Sequence, residues 1–176
     1  ASVGTLGGNA RVMEVASELL RQLAQSVHIR GVVVASGAVL TLAIIARRHA
    51  DLPDPLWRAL SAAGWLADSE AHRAAVLASG LVDAAIAAAA RHSADFNVAS
   101  QAAFLLYHAS AGTVKSDLLV AAGAIRVLGV VGTTHIGHPR ALECVCGACA
   151  NLAQWPAGRA AALAAGAVAI CEAALT

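Results

Sequence analysis

Apolar residues along the chain recur with helical spacing and are interrupted on a fixed schedule. Between 81 and 89 they fall at Leu81, Val82, Ala85, Ile86 and Ala89, and between 142 and 152 at Leu142, Val145, Cys146, Cys149 and Leu152. Both runs follow the i, i+3, i+4, i+7 pattern of a helix with one buried face. The interruptions are glycines. Gly37, Gly80, Gly123 and Gly166 recur every 43 residues, inside Ala-Ser-Gly-Ala-Val (35–39), Ala-Ser-Gly-Leu-Val (78–82), Ala-Ala-Gly-Ala-Ile (121–125) and Ala-Ala-Gly-Ala-Val (164–168). His49, His92 and His135 keep the same interval without a gap.

Each period predicts three helices. A short first helix runs over about 27–35, 70–78, 113–121 and 157–165 and stops at the glycine. Glycine alone takes the backbone angles of a sharp bend at no steric cost. Ser69 with Glu70, Ser116 with Asp117, and Pro156 are the expected openers of first helices. A second helix covers about 38–48, 81–91, 124–134 and 167–175, closing at the repeated histidine in the first three. A longer third helix covers about 10–25, 54–68, 97–111 and 140–154, with Pro55 and Pro139 near its start. Residues 1–8 read as a flexible lead-in and 9–176 as one domain. The chain opens on a third helix and closes on a second, so three complete units carry partial units at both ends. Gly166 to Leu175 is almost wholly apolar, which a terminal repeat avoids, so the array is expected to continue or to be covered there.

Composition narrows the partners. The formal net charge is +1 and Lys115 is the only lysine. Without a clustered basic face, nucleic acid is not an expected partner. The apolar fraction is 59%, yet the apolar stretch Gly31–Ala46 is bounded by Arg30 and Arg47. It is too short for a membrane span of about 20 residues, and no membrane insertion is expected. No charged n-region and apolar h-region open the chain. Four cysteines, three of them within Cys144–Cys149, do not make a disulfide framework. Reduced thiols in the cytoplasm are expected, with the nucleus as an alternative.

A fixed period of 40–47 residues with helical composition marks HEAT and armadillo arrays. The chain resembles the armadillo-repeat family in Val120-Ala121-Ala122-Gly123 and in Ala148-Cys149-Ala150-Asn151-Leu152-Ala153, with Leu23-Ala24 and Leu66-Ala67 at the equivalent place in earlier repeats. HEAT repeats have two helices per unit and an Asp/Arg pair, which the sequence does not display. The resemblance covers about residue 10 to 176 and implies an all-α, right-handed armadillo superhelix (an α-solenoid). It further implies a non-enzymatic scaffold whose third helices line a concave groove for a protein or peptide. A structural segment that self-associates through its C-terminal end is the alternative. In the family an asparagine of the third helix holds the peptide backbone. Here only Asn151 keeps it, and Gln22, Trp65 and His108 occupy the equivalent positions.

The candidate groove residues follow from that alignment. Trp57, Ser61 and Trp65 fall on one helical face at i, i+4, i+8, and two exposed indoles would anchor a peptide. Phe104 and His108 extend the face, and Glu14 and Glu18 would meet a basic ligand or form a solvated surface. Thus Glu18, Gln22, Trp57, Ser61, Trp65, Phe104, His108 and Asn151 form the expected partner-binding set. The three histidines sit one repeat apart, about 8–10 Å, too far to share a metal with bonds of about 2 Å. They are expected to serve the ends of second helices. Cys144, Cys146 and Cys149 are expected to be buried stand-ins for alanine rather than a zinc site. Gly129, Gly132 and Gly137 do not match a phosphate loop. No cofactor and no enzymatic activity are expected.

Overall fold

A computed structural model describes residues 10–112 and 116–174. In chain order its helices are α1 (Ala10–Gln25), α2 (Arg30–Ala35), α3 (Ala38–Arg48), α4 (Pro53–Ala67), α5 (Glu70–Ala78), α6 (Leu81–Arg91), α7 (Phe96–Ala109), α8 (Ser116–Ala121), α9 (Ala124–Thr134), α10 (Pro139–Leu152), α11 (Pro156–Ala164) and α12 (Ala167–Ala174). The described residues are all-helical, without strands. The expected lead-in 1–8 and the start of the first helix at 113–115 lie outside them.

The period governs the backbone. Gly37, Gly80, Gly123 and Gly166 adopt φ of 84°, 81°, 86° and 76°. This is the left-handed region, in which a side chain would clash with the backbone. Each glycine turns a first helix into a second, and α5 and α6 meet at 70° across Gly80. His49, His92 and His135 are the C-cap residues of α3, α6 and α9.

The openers differ from expectation. Ser69 holds the N-cap position of α5 but makes no side-chain cap bond. Its carbonyl instead accepts from the N–H groups of His72 and Arg73. Asp95 caps α7 through Oδ1, which accepts from Val98 N–H at 3.1 Å. α2 begins at Arg30 rather than near 27, because Ser26 to Ile29 close a separate turn through Ile29 N–H and Ser26 C=O.

Two layers build the core. The third helices α1, α4, α7 and α10 pack each on the next, and the second helices α3, α6 and α9 do likewise. Leu42, Leu60, Leu66, Leu81, Leu105, Leu106, Leu128 and Leu152 are fully buried between the layers. Ala59, Ala62, Ala63, Ala99, Ala102 and Ala103 are fully buried on α4 and α7. Small side chains let these helices approach closely and cost little side-chain entropy to bury.

The repeats are also tied by hydrogen bonds. His92 Nε2 lies 2.7 Å from Ala50 O, and His135 Nε2 lies 2.8 Å from Ser93 O. A carbonyl only accepts, so Nε2–H donates in each case. The histidines end second helices, as expected, but each imidazole serves the repeat before it. A second ladder escaped the sequence reading. Arg30 and Arg73 lie on first helices 43 residues apart, and Arg159 holds the same place two periods on. Arg30 Nε donates to Ala24 O at 2.8 Å, Arg73 Nε to Ala67 O at 3.1 Å, and Arg159 Nη1 to Ala153 O at 3.3 Å. Each caps the free carbonyls of the third helix before it.

Candidate functional site

The expected site residues on the third helices separate into exposed and buried positions. Ser61 and Phe104 are 5% and 6% exposed. Neither offers a side chain to a partner, and both leave the candidate set. Ser61 lies on α4, which packs against both α1 and α7. Phe104 is drawn inward by a glycine on the neighbouring helix. A Cβ at Gly64 would come within 2.6 Å of Phe104 Cε1. The missing side chain is the notch that the ring fills. Trp65 meets the same ring edge-on at 5.0 Å, and Arg140 covers it at 5.9 Å.

Trp65 is half-buried, between Phe104 and the guanidinium of Arg30, whose Cζ lies 5.6 Å from the indole centroid. Trp57 is half-buried too, and its Nε1–H donates to Asp54 Oδ1 at 3.3 Å. Arg58 Cζ stacks 4.4 Å from the Trp57 ring. Both indoles therefore keep an exposed part beside a cation, a favourable arrangement for a π face.

Glu18 belongs to a charge network. Arg21 donates to both its oxygens, at 2.9 and 2.6 Å. Gln22 Nε2 donates to Oε1 at 2.7 Å, and Arg58 Nε lies 3.3 Å from Oε2. The Arg21 hydrogen bond holds the Glu18 carboxyl down to about 2 against the opposing effect of burial, with Gln22 and Arg58 lowering it further. Arg58 also reaches Glu14 at 3.4 Å and Asp54 at 3.3 Å. The two glutamates are compensated from within, so a free acidic patch for a basic ligand is not what this face presents. Gln22 is exposed and joined to the network.

His108 and Asn151 face inward contacts. His108 Nδ1 lies 3.3 Å from Asp68 Oδ1, while Arg30 Nη1 donates to Asp68 Oδ2 at 2.9 Å. Asp68 thus joins α2 to α7. Burial pushes the His108 pKa below its usual value; Asp68 opposes this, and Arg73 and Arg30 add to it. Asn151 Nδ2 donates to Tyr107 O at 3.3 Å and to Ser110 Oγ at 3.2 Å. Its amide nitrogen ties α10 to the end of α7.

Trp57, Trp65 and Gln22 thus stand among paired charges of both signs. Among the described residues, no group of three or more His, Cys, Asp or Glu side chains is placed to hold a metal ion. The sequence reading missed Arg58, the hub of the network, and Gly64, the notch. Arg58 follows Trp57 directly, one turn after Asp54, a helical spacing that signals the pair. Gly64 stands inside a run of helix formers, an unusual place for glycine.

No protein-family model and no curated protein matches the chain.

Proposed function

We propose that the protein is a non-enzymatic interaction scaffold of the armadillo type. Its third helices form a right-handed concave face that binds an extended peptide or protein segment. The observation that carries this reading is the pair Trp57 and Trp65 on α4, each partly exposed beside an arginine at 4.4 and 5.6 Å. A tryptophan on a pre-ordered surface buries much area with little ordering cost to the protein, which makes it a binding anchor. The layer of third helices supports the reading as well, since stacked repeats keep such a face rigid. The charge pairing on α1 and α4 favours a ligand of mixed or neutral character over a strongly basic one.

The test is a display library of short peptides screened against the full chain, followed by titration of the selected sequences. Trp57→Ala is expected to weaken binding by more than about 1 kcal/mol. Selection of no peptide, or of peptides that bind Trp57→Ala and Trp65→Ala as tightly as the parent, would overturn the proposal.

A second reading, a structural segment that packs end against end, has its own observation. Leu19 is 58% exposed, whereas Ala62, Leu105 and Ala148 at the equivalent place in later repeats are 0% exposed. Leu163 and Val168 near the other end are 68% and 55% exposed. Sedimentation of the parent and of Leu19→Glu separates the readings. A concentration-dependent oligomer lost in the variant favours stacking; a monomer in both removes it.

A further inference from the structure

Cys146 on α10 and Cys171 on α12 place their sulfurs 3.7 Å apart. The sequence reading grouped Cys146 with Cys144 and Cys149, but its partner lies 25 residues on, on a different helix. The repeat explains why the two side chains meet. The equivalent pair one period earlier is Ala103 and Leu128, and two periods earlier Leu60 and Ala85, all 0% exposed. The geometry of the period brings these positions into contact as apolar core. In the last repeat both positions are cysteine, and both reach the surface: Cys146 is half-buried and Cys171 exposed. They line a cleft of about 430 Å³ with Cys149, Leu163 and Val168.

We propose that Cys146 and Cys171 form a reversible disulfide by exchange with a small-molecule disulfide of the glutathione class. Cys171 is the entry point because it is exposed. Its thiolate attacks one sulfur of the small disulfide, forming a mixed disulfide on Cys171 and releasing one small thiolate. Cys146 then loses its proton to water and attacks the Cys171 sulfur, forming the Cys146–Cys171 bond and expelling the second small thiolate. Two protein thiols are oxidised by two electrons, and the small disulfide is reduced to two thiols that take up the two protons. The sulfurs need only close from 3.7 Å to about 2 Å. Cys144 and Cys149 are buried, so the small disulfide meets Cys171 first, and Cys146 is the cysteine whose sulfur lies beside it. Burial and the neighbouring Cys171 hold Cys146 at about 11, so the closing step accelerates as pH rises. The bond fastens α12 to α10.

The experiment incubates the full chain in buffers of graded oxidised to reduced glutathione, alkylates the free thiols, and maps peptides under non-reducing conditions. The expected product is one intramolecular link between the peptides carrying Cys146 and Cys171, reversed by a dithiol reductant. It should raise Tm by at least about 5 °C, since it closes a loop of this length. Cys144→Ser with Cys149→Ser should retain the link. Cys146→Ala and Cys171→Ala should abolish it. Both are expected to fold, because Ala103 and Ala85 fill the equivalent places. If either variant unfolds, the peptide map of the parent decides alone. A stable glutathione adduct on Cys171 without closure, a link to Cys149, or a disulfide between two chains would overturn the proposal.

Discussion

The ring of Phe104 occupies the volume a side chain at Gly64 would need, with Cε1 2.6 Å from the place of a Cβ. The relationship shapes the whole third-helix face. It removes Phe104 from the surface, seats Trp65 against the ring at 5.0 Å, and brings α7 close to α4. Tyr107 and Gly147 repeat the device across the next interface, where a Cβ would lie 2.6 Å from Tyr107 Cε2.

Gly64→Ala is therefore expected to destabilise the protein by about 1–3 kcal/mol through overpacking, although alanine is the better helix former. Phe104→Leu in the same chain should recover part of the loss. Denaturant unfolding of the two single variants and the double variant reads the coupling, and purely additive changes would contradict the notch.

Trp65 and Trp57 are expected to differ in stability. Trp65→Ala uncovers Phe104 and leaves Arg30 without its stacking partner, so it should cost about 2–4 kcal/mol. Trp57→Ala loses a stack with Arg58 at the surface and should cost under about 1 kcal/mol. Thermal melts of both variants check the order. Trp57→Ala is thus the cleaner probe of binding.

The histidine staples between repeats should matter in proportion to burial. His135 is 6% exposed and packs 5.6 Å from Phe96, while His92 is half-buried. His135→Ala leaves the Ser93 carbonyl without this donor and should cost about 2–3 kcal/mol. His92→Ala should cost about 1–2 kcal/mol. Equal stability of both variants and the parent would show that the two bonds contribute nothing.

Stability should fall below neutral pH through His108. Burial, countered by Asp68 but joined by Arg73 and Arg30, lowers its folded pKa from 6.5. Between the folded value and 6.5 the unfolded chain binds more protons, so stability rises with pH across that window. The His108 contribution is fully present above about 6.5 and is lost as pH drops toward the folded value. His108→Gln should flatten this part of a pH–stability curve measured by urea unfolding.

Acid should weaken the α1–α4 contact at lower pH. Glu18 is held at about 2, against an ordinary 4.5, chiefly by Arg21. A lowered carboxyl pKa stabilises the folded chain above about 4.5, and that contribution fades as pH falls toward 2. Glu18→Gln should remove this acid sensitivity, read by the unfolding midpoint between pH 5 and about 2. An unchanged slope would mean that solvent screens the network.

The repeat was legible in the sequence because it rests on local chemistry. A left-handed turn demands glycine, and a buried helical face demands apolar residues at fixed spacing. Both requirements recur every 43 residues. Hence the helices fall within a few residues of their expected places, and Gly37, Gly80, Gly123 and Gly166 all turn the chain. Spacing also placed His49, His92 and His135 at helix ends. It did not reveal that the imidazoles of His92 and His135 bond the repeat before, since that partner is 42 residues away.

The face itself was decided by tertiary packing. Periodicity says which residues share a side of one helix, but not how deeply the next helix covers them. Phe104 and Ser61 share the phase of Trp57 and Trp65 in the sequence, and the neighbouring helices bury them while leaving the tryptophans half-open. Cys146 reads as one of a triplet until α12 brings Cys171 to its sulfur. In each case the deciding group belongs to another helix, and its approach depends on side-chain volumes summed over the interface.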